Sequence, residues 1–318
     1  MPVTTKAGAP WVVKDGLATL GNEATALLHT LDTVFASWGV RDGAEAMDFP
    51  PLLAAADLSR FDYFRNFPHL VSVVGRLDSE RWAAYAEQPE VTAVRPGDLT
   101  GTGYALPSAA CYGAYLHLAG EELAAPLRVT TAATCHRAEE EYHGLRRLGA
   151  FRMREVICIG GAEDVRGHLA AFRRRIHDFS RRLGLGLARE RASDPFFRRQ
   201  DARLLFQELE PVKEEFSYHD GTAVASTNRH LNFFGERCGI TFAGRPAFTG
   251  CAAFGLERWL HVLADLHAGD LARARRAVEE AAAAMDDAGV ATMDDADAAA
   301  LDEADAAVPS APAAEGRE

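Results

Sequence analysis

The sequence predicts an α+β fold, and three observations carry that expectation. Two β-prone runs, residues 128–138 (RVTTAATCHRA) and 150–160 (AFRMREVICIG), are joined by a charged loop and read as a hairpin. Apolar residues recur at helical spacing in residues 21–38 (GNEATALLHTLDTVFASW). Further strand-prone segments, EPVKEEFSY and TAVASTNRHLNFFGERCGITF, lead into a helix from about Gly255.

Taken in order, residues 21–38 form an amphipathic helix that ends at Gly39, with Asn22 or Thr25 as its cap. Residues 39–51 (GVRDGAEAMDFPP) give a turn and a short strand that stops at Pro50 and Pro51, which cannot donate to a ladder. Residues 63–74 read as loop into strand, and residues 106–120 as a helix begun at Pro107 and Ser108 and closed by Gly120. Between the two hairpin runs lies TCHRAEEEYHGLRRLGAFRMRE, whose strand alternation groups Arg137 with Glu139, and Phe151 with Met153 and Glu155. Residues 163–203 are helical and hold eleven arginines against six acids, a local charge of +5 in an acidic protein. A solvated helix face and a docking surface for an acidic partner both fit that pattern. No internal repeat is present.

The composition of the 318 residues, 48% hydrophobic and 25% charged, is that of a globular enzyme-sized protein. No basic-then-apolar leader and no run of about 18 apolar residues occurs, so the expectation is a cytoplasmic protein without a membrane partner. Residues 286–318 hold ten acids against Arg317 and carry -9 of the net -12; rich in Ala and Asp, they should be a disordered tail. That sets an N-terminal segment 1–20, a catalytic domain 21–285 with an arginine-rich helical insertion at 163–203, and the tail 286–318. Five scattered cysteines are an odd number and suit reduced thiols, some of them metal ligands.

No CxxC or HxxxH spacing marks a local metal site, and neither GxxxxGK[ST] nor GxGxxG marks a nucleotide loop. Guanidinium groups pair with phosphates through their fork geometry, and Arg137, Arg152, Arg154 and Arg258 lie where strands or a helix start fix side-chain placement. Phe151 suits either an adenine face or the core. Cys135 and His136, as strand neighbours, face opposite sides and make no catalytic pair.

In order, these pieces resemble the three motifs of class II aminoacyl-tRNA synthetases. Residues 27–51 resemble motif 1. CHRAE followed by RLGAFRMRE resembles motif 2, with Arg147, Phe151 and Glu155 spaced four apart. TGCAAFGLERW resembles motif 3. SAACY, FRMRE, SDPFF, KEEF, TAVASTN, FFGERCGI and TGCAAFGLER narrow the resemblance to the truncated seryl-tRNA synthetase homologues, the amino acid:carrier protein ligases.

The resemblance implies an antiparallel sheet flanked by helices and a homodimer formed through motif 1. It implies a zinc ion held by Cys111, Glu155 and Cys251, with Glu139 as the alternative third ligand and Cys135, Cys158 and Cys238 structural. ATP would meet Arg137 at the α-phosphate, Phe151 at the adenine and Arg258 at the γ-phosphate. Glu139 and Glu215 would lie near the nucleotide or its magnesium, Arg147 near the phosphates, and Asn228 in the amino-acid pocket. Thr222 stands where seryl enzymes carry a pocket Glu, which argues against serine. The implied reaction activates a small amino acid, glycine or alanine, as an aminoacyl-adenylate, then transfers it to the phosphopantetheine thiol of an acidic carrier protein docked on Arg173, Arg174, Arg175, Arg181 and Arg182. Only about 20 residues precede the first helix, which leaves no tRNA-gripping arm and argues against tRNA. An atypical seryl-type synthetase and a silent regulatory paralogue are the competing readings.

Overall fold

The expected first helix forms as α1, Asn22–Arg41, with Leu27, Leu28, Leu31, Phe35 and Trp38 buried at three- and four-residue intervals. Gly21 occupies its N-cap without a side-chain bond, so neither Asn22 nor Thr25 caps it. The computed structural model describes residues 9–193, 197 and 213–287.

Seven strands make the main sheet: β1 Glu45–Ala46, β2 Leu127–His136, β3 Ala150–Gly160, β4 Ala188–Arg191, β5 Lys213–Ser217, β6 Ala223–Leu231 and β7 Phe248–Gly255. Their order is β4-β5-β6-β7-β3-β2-β1, antiparallel throughout except for the parallel β1 and β2 pair. The hairpin read from the sequence is β2 and β3, with Cys135 opposite Phe151 and Thr131 opposite Glu155.

Helices α1, α2 (Ala162–Leu183), α3 (Leu256–Leu266) and α4 (Leu271–Asp287) share one core with the sheet. Phe35 stacks on Phe254 at 4.2 Å between centroids, and Trp38, Phe179 and Trp259 surround the pair. Gly250 of β7 permits close approach there, because an added Cβ would lie 2.7 Å from Val165 of α2. Arg154 of β3 joins the sheet to α1 through a bidentate pair with Asp32, at 2.7 and 2.8 Å. Ile157, Ile159 and Cys251 belong to a second core with Tyr115 and Phe234. Alternate strand residues therefore give the sheet a helix-covered face and a second face.

Several expectations are corrected. The arginine-rich segment is helical only to Leu183; Gly184 then turns left-handed at φ 74°, and residues 188–191 are strand β4. Nor is it an added surface helix: Val165, Leu169, Phe172, Ile176 and Phe179 are buried. Arg198, Arg199 and Arg203 lie outside the described residues, as do Asp194 to Phe196 of SDPFF, while the Phe197 N–H donates to the Asn66 carbonyl at 2.8 Å.

The helix expected at 106–120 is confined to Tyr112–His117, and a helical turn, Tyr63–Asn66, precedes the strand Val73–Leu77. Residues 11–20 form a hairpin, Trp11–Lys14 with Leu17–Leu20, packed on the main core. At the other end α4 runs into the expected acidic tail, and Asp286 pairs with Arg41; residues 288–318 lie outside the described residues. No helix among the described residues is long and apolar enough to cross a membrane.

Candidate functional site

Side chains directly opposite one another on neighbouring antiparallel strands share a face, so the register alone assembles much of the site. Glu215 pairs with Ser226, Ser226 with Ala253, and Ala253 with Glu155. Two residues along, Asn228 pairs with Cys251 and Cys251 with Ile157. Glu215, Asn228, Cys251 and Glu155 thus project from the second face, and Phe151 joins them four residues before Glu155, roughly 13 Å along the strand.

The missing partner comes from the segment before Tyr112–His117. There the N–H groups of Ala110 and Cys111 donate to Glu155 Oε1, at 2.8 and 3.3 Å, instead of entering a longer helix. That bond brings Cys111 to the sheet: its Sγ, that of Cys251 and a Glu155 carboxylate oxygen lie within 4.8 Å of one another, all buried. Glu155 is 1% exposed and its Oε2 has no hydrogen-bond partner among the described residues. Contact with Cys251, then burial and the Glu155 charge, push the Cys111 thiol well up. The Cys251 thiol is lifted to about 11: its hydrogen bond with Cys111 favours the thiolate, but burial and Glu155 outweigh that. Two thiols and an incompletely bonded carboxylate, buried together, fit a thiophilic divalent cation, which would offset the burial and charge that now keep the thiols protonated.

Around Phe151 a second set converges. Arg137, Glu139, Arg147, Phe151 and Arg258 line one open pocket with Leu145, Arg146, Leu148, Gly255 and Glu257. Although β2 ends at His136, the Arg137 N–H still donates to the Gly149 carbonyl at 3.0 Å, which carries the side chain past the strand end. Arg137 Nη2 donates to the Ser108 carbonyl at 3.2 Å, and its guanidinium covers Phe151. Arg147 holds Glu139 at 2.8 Å. Arg258 donates to the carbonyls of Arg146 and Ala223, both at 3.0 Å. Burial, then the neighbouring Arg137, lowers the Arg258 pKa, so an anion placed there would meet poorly solvated positive charge.

Other expected site residues have bonding partners within the protein. Glu139 is tied to Arg147 in that pocket, while Cys111, Glu155 and Cys251 form the cluster. Glu215 is bound by Lys213 at 3.0 Å, and Asn228 donates to Ser226 Oγ and to Cys251 Sγ, at 3.0 and 3.5 Å. Arg152 is held by Glu257 and Arg154 by Asp32, so neither guanidinium is placed for phosphate. Thr222 is buried, accepts from Arg146 Nε at 2.9 Å and lies six residues before Asn228, roughly 20 Å along the chain, so it says nothing about the amino acid. Of the expected docking residues, Arg173 is bound to Glu214 at 2.7 Å and Arg175 to Asp42 at 2.8 Å; Arg181 and Arg182 are exposed and Arg174 half-buried.

Sequence reasoning missed Arg146, Leu145, Leu148 and Glu257. Arg146 and Leu148 flank Arg147, Leu145 lies two residues before it, and the position of Glu257 just before Arg258 was the available signal.

A mostly antiparallel sheet with helices on one face, and an arginine-lined pocket beside a Cys–Glu–Cys cluster on the other, defines a class II aminoacyl-tRNA synthetase-like protein. The chain matches M. kandleri seryl-tRNA synthetase, solved with A. aeolicus tRNASec, over 96% of its own length and 60% of that chain, with a TM-score of 0.70 at 20% identity. It matches Pyrococcus horikoshii seryl-tRNA synthetase, solved with ATP, over 78% of this chain and 52% of that one, with a TM-score of 0.52 at 15% identity. No family model matches the chain. Amino acid–acyl-carrier-protein ligase 1 of Bradyrhizobium diazoefficiens is 36% identical over 248 residues, 72% of this chain and 73% of the relative. The chain therefore belongs to the amino acid–acyl-carrier-protein ligase family, and it is an enzyme.

Proposed function

We propose that this enzyme uses ATP to activate a small amino acid, glycine or alanine, as its adenylate and transfers it to the phosphopantetheine thiol of a carrier protein. The observation that carries this reading is the placement of the Cys111, Glu155 and Cys251 cluster on the same sheet face as Phe151. A base stacked on Phe151 reaches, through one ribose and one phosphate, toward an α-amino group at the cluster. Cys111, Glu155 and Cys251 would hold a zinc ion, which would bind that amino group as a Lewis acid and so disfavour imino acids.

The chain's own residues position the reactants. Arg137 takes the α-phosphate, Arg258 the γ-phosphate, and Arg147 leaves Glu139 for the phosphate chain. Glu139 and Glu215 then stand near the nucleotide and its magnesium, and Asn228 borders the amino acid. The substrate carboxylate oxygen bonds to the α-phosphorus, the bond to the β-phosphate bridge breaks, and pyrophosphate leaves as arginines stabilise the developing charge. The carrier thiol, giving its proton to solvent, bonds to the acyl carbon, and AMP departs. Little covalent help is needed, because the adenylate is already activated.

Five buried, unpaired thiols suit a reducing compartment, the cytoplasm. We place the homodimer contact at α1 and β1, where Val40 is 55% exposed. ATP–pyrophosphate exchange across a panel of amino acids, with zinc content measured on the same protein, tests the proposal. Exchange with glycine or alanine and one zinc per chain is expected; exchange with neither amino acid overturns it.

A further inference from the structure

The cluster has an asymmetry that its donor set does not require. Cys251 Sγ faces two nitrogen donors, Asn228 Nδ2 at 3.5 Å and His230 Nε2 at 4.0 Å, the latter at the outer limit for an N–H to sulfur contact. His230 lies where the pairing of β6 with β7 slips: Arg229 opposes Gly250 and Leu231 opposes Thr249, which leaves His230 as the extra residue, followed by Leu231 at φ 54°. A bulge of this kind re-aims a side chain. The ring packs edge-on against Phe234 at 5.0 Å and Tyr115 at 6.0 Å, which fixes its plane.

The hydroxyls around the far nitrogen can donate or accept, but a metal-bound thiolate can only accept, so a ring nitrogen that serves it must carry the proton. His230 Nδ1 lies 3.2 Å from Tyr115 Oη and 3.3 Å from Thr249 Oγ1, and both hydroxyls can donate to it. With Nδ1 accepting, the neutral ring carries its proton on Nε2, the nitrogen that faces Cys251.

We infer that His230, held in that tautomer by Tyr115 and Thr249, is a positioning residue that donates through Nε2 to the Cys251 thiolate when the cluster holds a metal ion. The inference rests on the metal-binding reading above. A hydrogen bond to a metal-bound thiolate withdraws charge from sulfur and orients it, and losing such a partner costs about 10- to 100-fold in metal affinity.

The test uses the full chain loaded with cobalt(II), read by its sulfur-to-cobalt charge-transfer band and by competition with a chelator of known affinity. His230→Phe keeps a ring against Phe234 and removes the donor; it should still bind one cobalt, with the band moved to lower energy and affinity lowered about 10-fold or more. His230→Gln, which keeps an N–H, should restore most of both. Tyr115→Phe combined with Thr249→Val should move the band the same way, although it leaves His230 in place. An unmoved band and unchanged affinity in His230→Phe overturn the inference while leaving the metal centre intact. Loss of a nitrogen ligand from the cobalt spectrum of that variant also overturns it, by making His230 a ligand. A wild-type protein that takes up no cobalt overturns both this inference and the metal centre.

Discussion

The guanidinium carbon of Arg137 lies 5.0 Å from the centroid of the Phe151 ring, while its Nη2 is anchored to the Ser108 carbonyl. A guanidinium charge and an aromatic face are thereby held together by one hairpin. Stacking of a base on an aromatic ring is worth about 1–3 kcal/mol. Phe151→Ala should raise the KM for ATP in pyrophosphate exchange about tenfold or more and leave the KM for the amino acid nearly unchanged. An unchanged KM for ATP would remove Phe151 from the nucleotide site.

Metal uptake should depend steeply on pH. Contact with Cys251, burial and Glu155 hold the Cys111 thiol well above its usual value, and Cys251 is raised to about 11, so both are protonated at neutral pH. Binding an ion as thiolates releases two protons, and protons therefore compete with the metal more strongly as pH falls. Zinc affinity measured by chelator competition at pH 6.5 and 7.5 should be roughly 100-fold higher at the upper value. A pH-independent affinity would mean that the ion binds elsewhere.

The β2 and β3 hairpin, α1 and the strand-to-helix step at Gly255 were legible because each is encoded locally, by alternation, helical spacing or a glycine. The α2 segment misled because arginine content hid its buried face: Phe172, Ile176 and Phe179 recur at helical spacing, and the helix packs on the sheet. Cys111, Glu155 and Cys251 are far apart in sequence and have no spacing rule; motif resemblance brought them together, and they meet because strand register sets Glu155 beside Cys251 while the Ala110 and Cys111 N–H groups bond Glu155. His230 was invisible because a bulge obeys no alternation.

Asp32 and Arg154 fix α1 against the strand that carries Glu155. Their side chains are 29% and 13% exposed, and two parallel bonds join them. Asp32→Ala leaves the Arg154 charge largely buried without its partner, a loss of about 2–3 kcal/mol. Urea unfolding should show that loss as a lowered midpoint with an unchanged slope. Restoring stability with Asp32→Ala plus Arg154→Met would assign the cost to the unpaired charge; a single variant as stable as wild type would show that the pair contributes nothing.

Carrier docking on α2 is open to a sharper test, because Arg173 and Arg175 are committed to Glu214 and Asp42. The exposed Arg181 and Arg182 and the half-buried Arg174 remain, with Arg181 paired among the described residues to the neighbouring Asp178 at 3.3 Å. Charges at the rim of an interface act mainly on encounter rate and lose effect as salt rises. Reversing all three to Glu should lower kcat/KM for thioester formation on an acidic carrier protein about tenfold at low salt, with a smaller deficit at high salt, and leave ATP–pyrophosphate exchange unchanged. The helix lies on the opposite face of the sheet from Cys251, so the carrier's flexible arm would have to pass the sheet edge. Equal loss of both reactions, or loss of neither, would move the docking surface off α2.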